Sequence, residues 1–437
     1  MRILIINTNG GSIYHGPNLR TYYAANELVK RGHDVVIATS AYSHKYGTLP
    51  KVSGAVTAET IDGIEYRWVK ALHYRGLIQR VLHNLQFGLG IIRHRKKICT
   101  QADVVVFSGP PLELFPFAWL MALFLQCPIV SDIRDLWPLT QLEMSRWHWL
   151  SPYTYLQYCC LWFMARRSAK CLSPLAGAAQ YINKFAKKAK VIVIPNGCDT
   201  SRPINNSPME LRVVKPAQGL PQEGESISTA ALAASDTFIV GYSGSFDRDN
   251  DTASFVRAAT ALATRSDILF LMVGSGCRRS EIATMAADLP NLLICDRVPS
   301  LAVRQVLSAM DVCYCGLSDK RINMYGVSLA KSYEYMAAGK PILWMIDACN
   351  NLVAESGGGI VVPPEDHEAL ARAIADLAKR SPGERSTMGA LGKDYLNKHF
   401  AYDVLGKQWE HALSFANPNS EATRSHAQVD QSDTLAS

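Results

Sequence analysis

Short apolar runs of about five residues alternate with helical patterns along most of this chain of 437 residues. Ile3–Thr8 is predicted to form a first buried strand, and Thr21–Arg31 an amphipathic helix that ends at Gly32. Strands that are buried on both faces need helices on both sides, which is typical of parallel sheets. The pattern therefore predicts an α/β protein built on doubly wound parallel sheets. Similar runs follow at Asp34–Thr39, Asp103–Ser108, Pro128–Asp132, Val191–Pro195, Phe238–Tyr242, Ile268–Val273, Leu292–Cys295, Val312–Tyr314 and Pro341–Trp344.

The chain is too long for one ordinary core, and its length suits two domains. A first domain is predicted over residues 1–198 and a second over residues 237–396. Between them, residues 199–236 are rich in Pro, Ser, Gln and Ala without an apolar period, which predicts a linker or excursion. A last helix at about 397–415 is expected to pack back on the first domain. Residues 417–437 are polar and predict a disordered tail.

Charge is divided unevenly along the chain. Residues 1–198 carry 23 Lys and Arg against 10 Asp and Glu, a net charge of +13, whereas the remainder carries −6. A basic half suggests nucleic acid, anionic lipid or a phosphorylated substrate as a partner, or a basic surface that only serves solubility. No nucleic-acid-binding module is recognisable in the sequence. The eleven cysteines follow no disulfide or zinc pattern and no signal peptide is evident, so a cytoplasmic location is expected.

One segment of the first domain mixes apolar and basic residues. Gly76–Ile98 is rich in Leu and Ile, and an apolar face beside a basic face is typical of a helix that lies on an anionic membrane. The alternative is a core-facing helix with solvated basic ends. Tyr153–Lys170 is a weaker candidate of the same kind, and Leu114–Cys127 is apolar but too short to span a bilayer, so it predicts a buried helix. The basic residues of the expected membrane face are Arg80, Arg93, Arg95, Lys96 and Lys97.

Glycines follow two of the predicted strands, at the edge where doubly wound sheets bind their ligands. The loops Asn9–Arg20 and Gly241–Arg248 each lead towards a helix whose N-terminus favours an anion, although the first could be a simple tight turn. Gly244 can present its backbone amide to a phosphate, with Arg248 as the counter-charge. Asp249-Asn250-Asp251 matches a three-residue pattern of metal-dependent glycosyltransferases, but acids at such a position also cap helices. No convincing set of metal ligands is present.

Charged residues also gather in two later segments. Asp132-Ile133-Arg134-Asp135 follows a strand, which predicts contact with a sugar or acceptor hydroxyl or, alternatively, a salt-bridged turn with Trp137 in the core. A helix is predicted from Ser328 to Gly339. Lys331, near its N-terminus, suits a diphosphate, and Glu334, on the same face, suits two ribose hydroxyls. An ion pair between the two is the alternative.

These motifs together resemble the retaining glycosyltransferases of family four, which have the GT-B fold of two Rossmann-like domains facing across a cleft. The resemblance runs from Met1 to about His411 and is strongest to the branch that builds bacterial surface polysaccharides such as O-antigen, capsule, lipopolysaccharide and exopolysaccharide. Arg20–Leu28 is similar to transferases of an aminodeoxy sugar such as N-acetyl-L-fucosamine. The matching motifs are Gly32-His33-Asp34-Val35, Asp135-Leu136-Trp137-Pro138, Ile194-Pro195-Asn196-Gly197-Cys198-Asp199, Lys331 through Pro341, Glu355-Ser356-Gly357 and Gly359 through Pro364.

The resemblance implies roles for particular residues. Donor binding maps onto Gly16, Gly244, Arg248, Lys331 and Glu334. Lys331 and Arg248 would also stabilise the leaving diphosphate, and Asp135 would orient hydroxyl groups. Arg20 and Arg134 are the acceptor-side candidates.

The implied reaction moves a sugar from a nucleotide-diphosphate sugar, with a UDP-sugar favoured, to a polyprenyl-diphosphate-linked glycan with retention. Neither a cofactor nor a metal is expected. The enzyme would sit peripherally on the inner face of the plasma membrane, with nucleotide sugar, lipid-linked glycan and anionic membrane as partners and no nucleic acid. The alternative is a sugar-nucleotide 2-epimerase, or another non-transferase enzyme, on the same scaffold.

Overall fold

The computed structural model describes residues 1–16, 19–44, 46–144, 148–202 and 207–414. It divides into two compact units. Unit 1 comprises Met1–Asn196 and a final helix that begins at Tyr402, and unit 2 comprises Gly197–Ala401. The two ends of unit 2 lie side by side, because the backbone amide of Cys198 donates to the carbonyl of Phe400 over 3.0 Å. Unit 2 is thus an insertion in the chain of unit 1.

Unit 1 is built on a sheet of eight strands, which are β1 (Arg2–Ile6), β2 (Asp34–Ser40), β3 (Val56–Ile61), β4 (Ile64–Val69), β5 (Val104–Gly109), β6 (Ile129–Ile133), β7 (Lys170–Ser173) and β8 (Val191–Val193). Their order is β3-β4-β2-β1-β5-β6-β7-β8. Only β3 and β4 of these described strands are antiparallel neighbours, joined by a tight turn at Asp62 and Gly63, which both have positive φ. The central strands are buried on both faces, as their continuous Ile and Val runs predict.

Seven of the described α-helices of unit 1 lie before unit 2 in the chain. Helix α1 ends where the sequence predicted, because Gly32 adopts a φ of 81° that terminates a helix at low cost. The segment predicted as one helix from Gly76 to Ile98 is divided at His94. The helices are α1 (Leu19–Lys30), α2 (Leu77–Arg93), α3 (Arg95–Ile98), α4 (Phe115–Leu125), α5 (Leu139–Glu143), α6 (Pro152–Arg167) and α7 (Ala178–Ile182).

Unit 2 is built on a second sheet of eight strands, which are β9 (Glu210–Lys215), β10 (Ser226–Ser228), β11 (Phe238–Ser245), β12 (Ile268–Ser275), β13 (Leu292–Cys295), β14 (Val312–Gly316), β15 (Ile342–Met345) and β16 (Gly359–Val361). Their order is β10-β9-β13-β12-β11-β14-β15-β16. Strand β9 is antiparallel to both of its neighbours, and the other pairs are parallel. Apolar cores cover both faces of this sheet, so the predicted α/β fold class is confirmed.

The helices of unit 2 start at side-chain caps in several places. The carboxylate of Asp366 accepts the amide of Ala369, and Ser381 and Glu384 form a reciprocal capping box. The helices are α8 (Thr229–Ala233), α9 (Thr252–Ala261), α10 (Arg279–Met285), α11 (Val303–Ser308), α12 (Ala330–Ala337), α13 (Leu352–Ser356), α14 (His367–Lys379) and α15 (Pro382–His399), followed by α16 (Tyr402–Ser414) of unit 1.

The helix expected at about 397–415 is α16, and it packs against α1. The ring of Tyr402 stacks on that of Tyr23 with 4.3 Å between their centres, and Trp409 is buried in the core of unit 1. The first residues of the expected range belong instead to α15 in unit 2. The predicted disordered tail, 417–437, lies outside the described residues.

The prediction of a linker or excursion over residues 199–236 is corrected in its described part. Leu211 and Val213 of β9 are buried in a core of unit 2, and β9 pairs with β13. The apolar residues of β9 alternate with Glu210 and Arg212 over a short distance, so this strand lacks the continuous apolar run of the parallel strands. Unit 2 therefore starts before residue 237, and it also extends past 396.

Candidate active site

The carboxyl ends of β11 and β12 approach each other at two glycines. A Cβ atom at Gly274 would lie 1.9 Å from the carbonyl oxygen of Gly244, and one at Gly276 would lie 2.5 Å from the backbone of Phe246. Only glycine fits both positions, because the atoms in contact are backbone and cannot move aside. The predicted donor residue Gly244 therefore lies at the edge where α/β sheets bind ligands.

Lys331 reaches the same edge from the first turn of α12. Its ammonium donates to the side-chain oxygen of Asn250 and lies 4.9 Å from the centre of the Tyr242 ring. Burial lowers the pKa of Lys331, so a neighbouring anion would favour its charged form. A partly desolvated cation at a helix N-terminus suits a phosphate group. The structure thus brings Lys331 to the carboxyl end of β11, where Gly244 lies, and to the following loop, which contains Arg248.

Arg248 and the three-residue acidic pattern lie on the loop after β11. The Arg248 side chain is exposed, while its carbonyl accepts the hydroxyl of Ser318 at 3.0 Å. Asp249 pairs with Lys320 at 3.2 Å, and Asp251 caps α9 by accepting a backbone amide. The helix-capping alternative for this pattern is therefore observed. Within the described ranges, no three His, Cys, Asp or Glu side chains gather as metal ligands.

Glu334 pairs with Arg304 and not with Lys331 in the part of the chain that the structure describes. Its Oε2 accepts Nε of Arg304 at 2.8 Å and lies 3.9 Å from Nη2 of Arg202. The half-buried carboxylate lies one turn of α12 beyond Lys331. The two predicted donor residues therefore share a helix while each binds a separate group.

A cavity of about 440 Å³ lies at the carboxyl ends of β14 and β15. It is lined by Asp319, Lys320, Arg321, Met324, Asp347, Ala348 and Cys349. Lys320 also binds Asp249, so the cavity wall is fixed to the loop after β11. Its size and charged lining suit a small polar ligand.

Arg20, an acceptor-side candidate in unit 1, makes a dense set of hydrogen bonds within that unit. Its Nε and Nη2 donate to the carboxylate of Asp132 at 3.0–3.3 Å. Nη2 and Nη1 also donate to the carbonyls of Ile194 and Pro195 at 2.8 Å, and the guanidinium lies 5.3 Å from the ring centre of Trp409. Arg20 is buried and donates these hydrogen bonds within unit 1, which favours a structural role, and its acceptor-side role stays a prediction.

Arg134 and Asp135 lie at the carboxyl end of β6, in the same unit. Nε of Arg134 donates to the carbonyl of Gly109 at 3.1 Å, and burial lowers the pKa of Arg134 although neighbouring carboxylates oppose this effect. Asp135 is exposed, and Trp137 is buried, which agrees with one part of the alternative, a salt-bridged turn with Trp137 in the core. Gly16 lies in the loop after β1 with a φ of 130°, which favours glycine. The roles of Arg134, Asp135 and Gly16 stay predictions.

Helix α2 buries the apolar Phe87 and Ile91 together with two polar side chains, and exposes a row of leucines and an isoleucine. His83 and Asn84 are buried, and the Asn84 amide donates to the buried carboxylate of Glu113 at 2.8 Å. The alternative, a core-facing helix with solvated basic ends, accounts for the buried Phe87 and Ile91 but not for the exposed apolar residues. Its outward residues Leu77, Ile78, Leu82, Leu85 and Leu89 are between 39% and 78% exposed.

Helices α4 and α6 extend this outward surface. Gly88 of α2 permits the close packing of α4, because a Cβ atom there would lie 2.4 Å from the ring of Phe117. The prediction of a buried helix over Leu114–Cys127 is corrected, since α4 buries one side and exposes the other. The exposed apolar residues are Leu120, Leu123 and Phe124 of α4, and Tyr155, Leu156 and Trp162 of α6.

Basic side chains border these apolar residues. The guanidinium of Arg95 lies 4.8 Å from the ring centre of Phe124, and that of Arg166 lies 4.6 Å from the ring centre of Trp162. We call the outward apolar residues of α2, α4 and α6, with Arg93, Arg95, Lys96, Lys97 and Arg166, the apolar–basic face. Arg80 is half-buried within α2. No helix in the described ranges combines the length and the hydropathy that crossing a bilayer requires.

Three residues at the carboxyl edge of the second sheet, here called the donor edge after the predicted role of Gly244, were not predicted from the sequence. Gly274 and Gly276 follow a predicted strand, so the signal that selected Gly244 also applied to them. Asn250 was assigned only to the acidic pattern, and its contact with Lys331 spans 81 positions. Such a contact leaves no local signal.

Two family models match the chain. The model of Glycosyltransferase Family 4 matches residues 14–202, and that of Glycosyl transferases group 1 matches residues 237–380. Together these ranges cover well over half of the chain and fall in both units. The chain is a glycosyltransferase whose first unit matches family 4. None of the curated proteins compared with this glycosyltransferase matches it.

Solved structures with the same fold match almost the whole glycosyltransferase. Sucrose-phosphate synthase from Thermosynechococcus elongatus is 15% identical with a TM-score of 0.70, covering 96% of this chain and 100% of its own. HepE from Anabaena, in complex with UDP and glucose, is 13% identical with a TM-score of 0.62, covering 94% and 99%. WaaG, a glycosyltransferase involved in lipopolysaccharide biosynthesis, is 15% identical with a TM-score of 0.60, covering 94% and 99%. The GT-B fold is thereby confirmed.

Proposed function

We propose that this glycosyltransferase moves a sugar from a UDP-sugar to a polyprenyl-diphosphate-linked glycan, with retention and without a metal. The reaction takes place in the cytoplasm, on the inner face of an anionic membrane. It is a step in the synthesis of a bacterial surface polysaccharide. An aminodeoxy sugar of the N-acetyl-L-fucosamine type is the donor sugar that the resemblance favours. HepE in complex with UDP and glucose supports the choice of donor, and WaaG supports the choice of pathway class.

The proposal of a lipid-linked acceptor is supported mainly by the apolar–basic face of unit 1. Exposed leucines and aromatic residues beside arginines and lysines match the two parts of a membrane surface, the acyl boundary and the anionic headgroups. An enzyme that acts on soluble sugars gains nothing from such a face, which costs solubility in water. The face therefore favours an acceptor that is itself anchored in the membrane.

The donor chemistry rests on the cations at the edge of the second sheet. Negative charge grows on the diphosphate as the sugar–phosphate bond breaks, and groups fixed beside that charge stabilise the transition state more than the ground state. Lys331 and Arg248 supply the positive charges, together with the N-terminus of α12. The departing phosphate accepts the proton of the acceptor hydroxyl, so no side chain is assigned as a general base. Asp135 orients hydroxyl groups, and Arg134 faces the acceptor diphosphate.

A donor and acceptor panel tests this function. The full chain is incubated with UDP- and GDP-sugars, each with and without vesicles that contain a polyprenyl-diphosphate glycan, and products are followed by mass spectrometry. We expect extension of the lipid-linked glycan by one sugar from a UDP-sugar, with the anomeric configuration retained in the NMR spectrum. Conversion of the nucleotide sugar into its 2-epimer without an acceptor would contradict the proposal and identify an epimerase.

Chelation tests the absence of a metal requirement. In the same assay, excess EDTA is expected to leave the initial rate almost unchanged, because Lys331 and Arg248 provide the charge that a divalent cation would otherwise supply. Asp249 is already paired with Lys320, and Asp251 caps a helix. Loss of activity that Mg²⁺ or Mn²⁺ restores would instead assign these two aspartates as metal ligands.

A further inference from the structure

Arg304 is a buried cation that the reaction described above does not use. Its side chain is 4% exposed and lies in unit 2, on α11. Nε donates to Oε2 of Glu334 at 2.8 Å. Nη1 donates to the carbonyl of Arg202, and Nη2 to that of Asp199, both at 2.6 Å. Nη2 also lies 3.0 Å from Sγ of Cys198. The guanidinium therefore links the carboxylate of Glu334 to the backbone segment from Cys198 to Arg202.

The surroundings of Arg304 favour its charged form. Burial alone would lower the pKa of the guanidinium, but Glu334 and Cys198 raise it above its ordinary value. The N–H groups of the planar guanidinium point in fixed directions, so each hydrogen bond of Arg304 restrains the geometry of the others. The carboxylate of Glu334 is thereby held by one oxygen against α11 while the group stays partly open to solvent.

We propose that Arg304 is a positioning residue for nucleotide binding, which holds the Glu334 carboxylate in the orientation that accepts the ribose hydroxyls of the donor. The inference rests on the proposed function, because it requires that Glu334 binds the ribose. A lysine at this position keeps the charge but offers no fork that spans Glu334 and both carbonyls. Its ammonium therefore leaves the carboxylate free to rotate.

Discrimination between UDP and 2′-deoxy-UDP tests the inference, because only the ribose hydroxyl differs. The dissociation constants are measured by calorimetry on the full chain, as wild type, Arg304→Lys, Glu334→Gln and the double variant. In the wild type we expect UDP to bind about tenfold more tightly than 2′-deoxy-UDP, because one hydrogen bond to a charged group contributes about this factor. We call this factor the discrimination ratio. Each single variant is expected to lose most of this ratio through weaker UDP binding, and the double variant to lose little more.

Arg385→Lys is the matched control. Arg385 also binds an aspartate, Asp311 at 3.2 Å, and backbone carbonyls in unit 2, but Asp311 lies just before β14, at its amino end. The control is expected to lower the thermal midpoint as Arg304→Lys does and to keep the wild-type ratio. Glu334→Asp, which keeps the charge but withdraws the carboxylate from Nε, tests the same geometry with Arg304 in place and should lose the ratio.

The possible failures are distinguishable. A wild-type ratio in Arg304→Lys, with loss of the ratio in Glu334→Gln, would overturn the positioning role alone. A wild-type ratio in Glu334→Gln would overturn the ribose role of Glu334 and the inference with it. Failure of the wild type to bind UDP would overturn the proposed donor.

Discussion

Replacing Lys331 with alanine is expected to reduce kcat about 100-fold, the effect of removing about 3 kcal/mol of transition-state stabilisation. The ammonium is half-buried beside Asn250 and the Tyr242 ring, so bulk water cannot screen it fully. Because its interaction strengthens as the diphosphate leaves, kcat and kcat/KM for the donor should fall together. Initial rates at saturating and limiting donor measure both constants.

Lys340→Ala is the control for this experiment. Lys340 follows the same helix and donates to the carbonyl of Ser308 at 3.3 Å, on the amino side of β14 and away from the donor edge. The control should retain wild-type rates. Lys331→Ala with near wild-type kcat at saturating donor would remove Lys331 from the catalytic assignment.

Reversing the charge of Arg93, Arg95, Lys96 and Lys97 to glutamate is expected to abolish most binding to anionic vesicles. Each basic residue near an anionic surface contributes about 1 kcal/mol, so losing four weakens the partition coefficient roughly 1,000-fold. Flotation with vesicles that contain anionic lipid measures the effect. Wild type should float at low salt and dissociate at high salt, because attraction to the surface is screened within about 8 Å at physiological ionic strength.

A variant with the same change in net charge elsewhere is the control. Lys184, Lys187, Lys188 and Lys190 lie before β8 and are exposed, so their reversal to glutamate changes the total charge equally. It should weaken flotation much less than the change in the apolar–basic face. Equal flotation of wild type with neutral vesicles would assign the binding to Leu and Trp insertion alone, and no flotation with either lipid would contradict membrane docking.

The strand pattern was predictable because most strands are parallel and buried on both faces. An apolar run such as that of β1 predicts a buried strand from its composition alone, without knowledge of the strands beside it. Strand β9 was missed, because it is antiparallel and its polar residues alternate with the apolar ones. The surrounding Pro- and Ser-rich sequence then favoured a linker.

The candidate site was predictable where a motif is local and not where contacts are distant. Lys331 and Gly244 were predicted because each belongs to a local motif, a helix N-terminus for Lys331 and a glycine at the end of a strand for Gly244. The partners of Glu334 and Arg20 were not, because Arg304 lies 30 positions from Glu334, and Asp132 lies 112 positions from Arg20. In α2, composition revealed an amphipathic helix, but only the fold shows that its leucines point outward.

The insertion of unit 2 between Asn196 and Tyr402 also sets the order in which the chain matures on the ribosome. Leu405 and Trp409 of α16 complete the core of unit 1 against α1, although they are synthesised after the whole of unit 2. Until then, the apolar residues of α1 that α16 covers lack this partner, although all the strands of unit 2 have been synthesised. A message truncated just before codon 402 would therefore encode all of unit 2 and a unit 1 that lacks the helix closing its core.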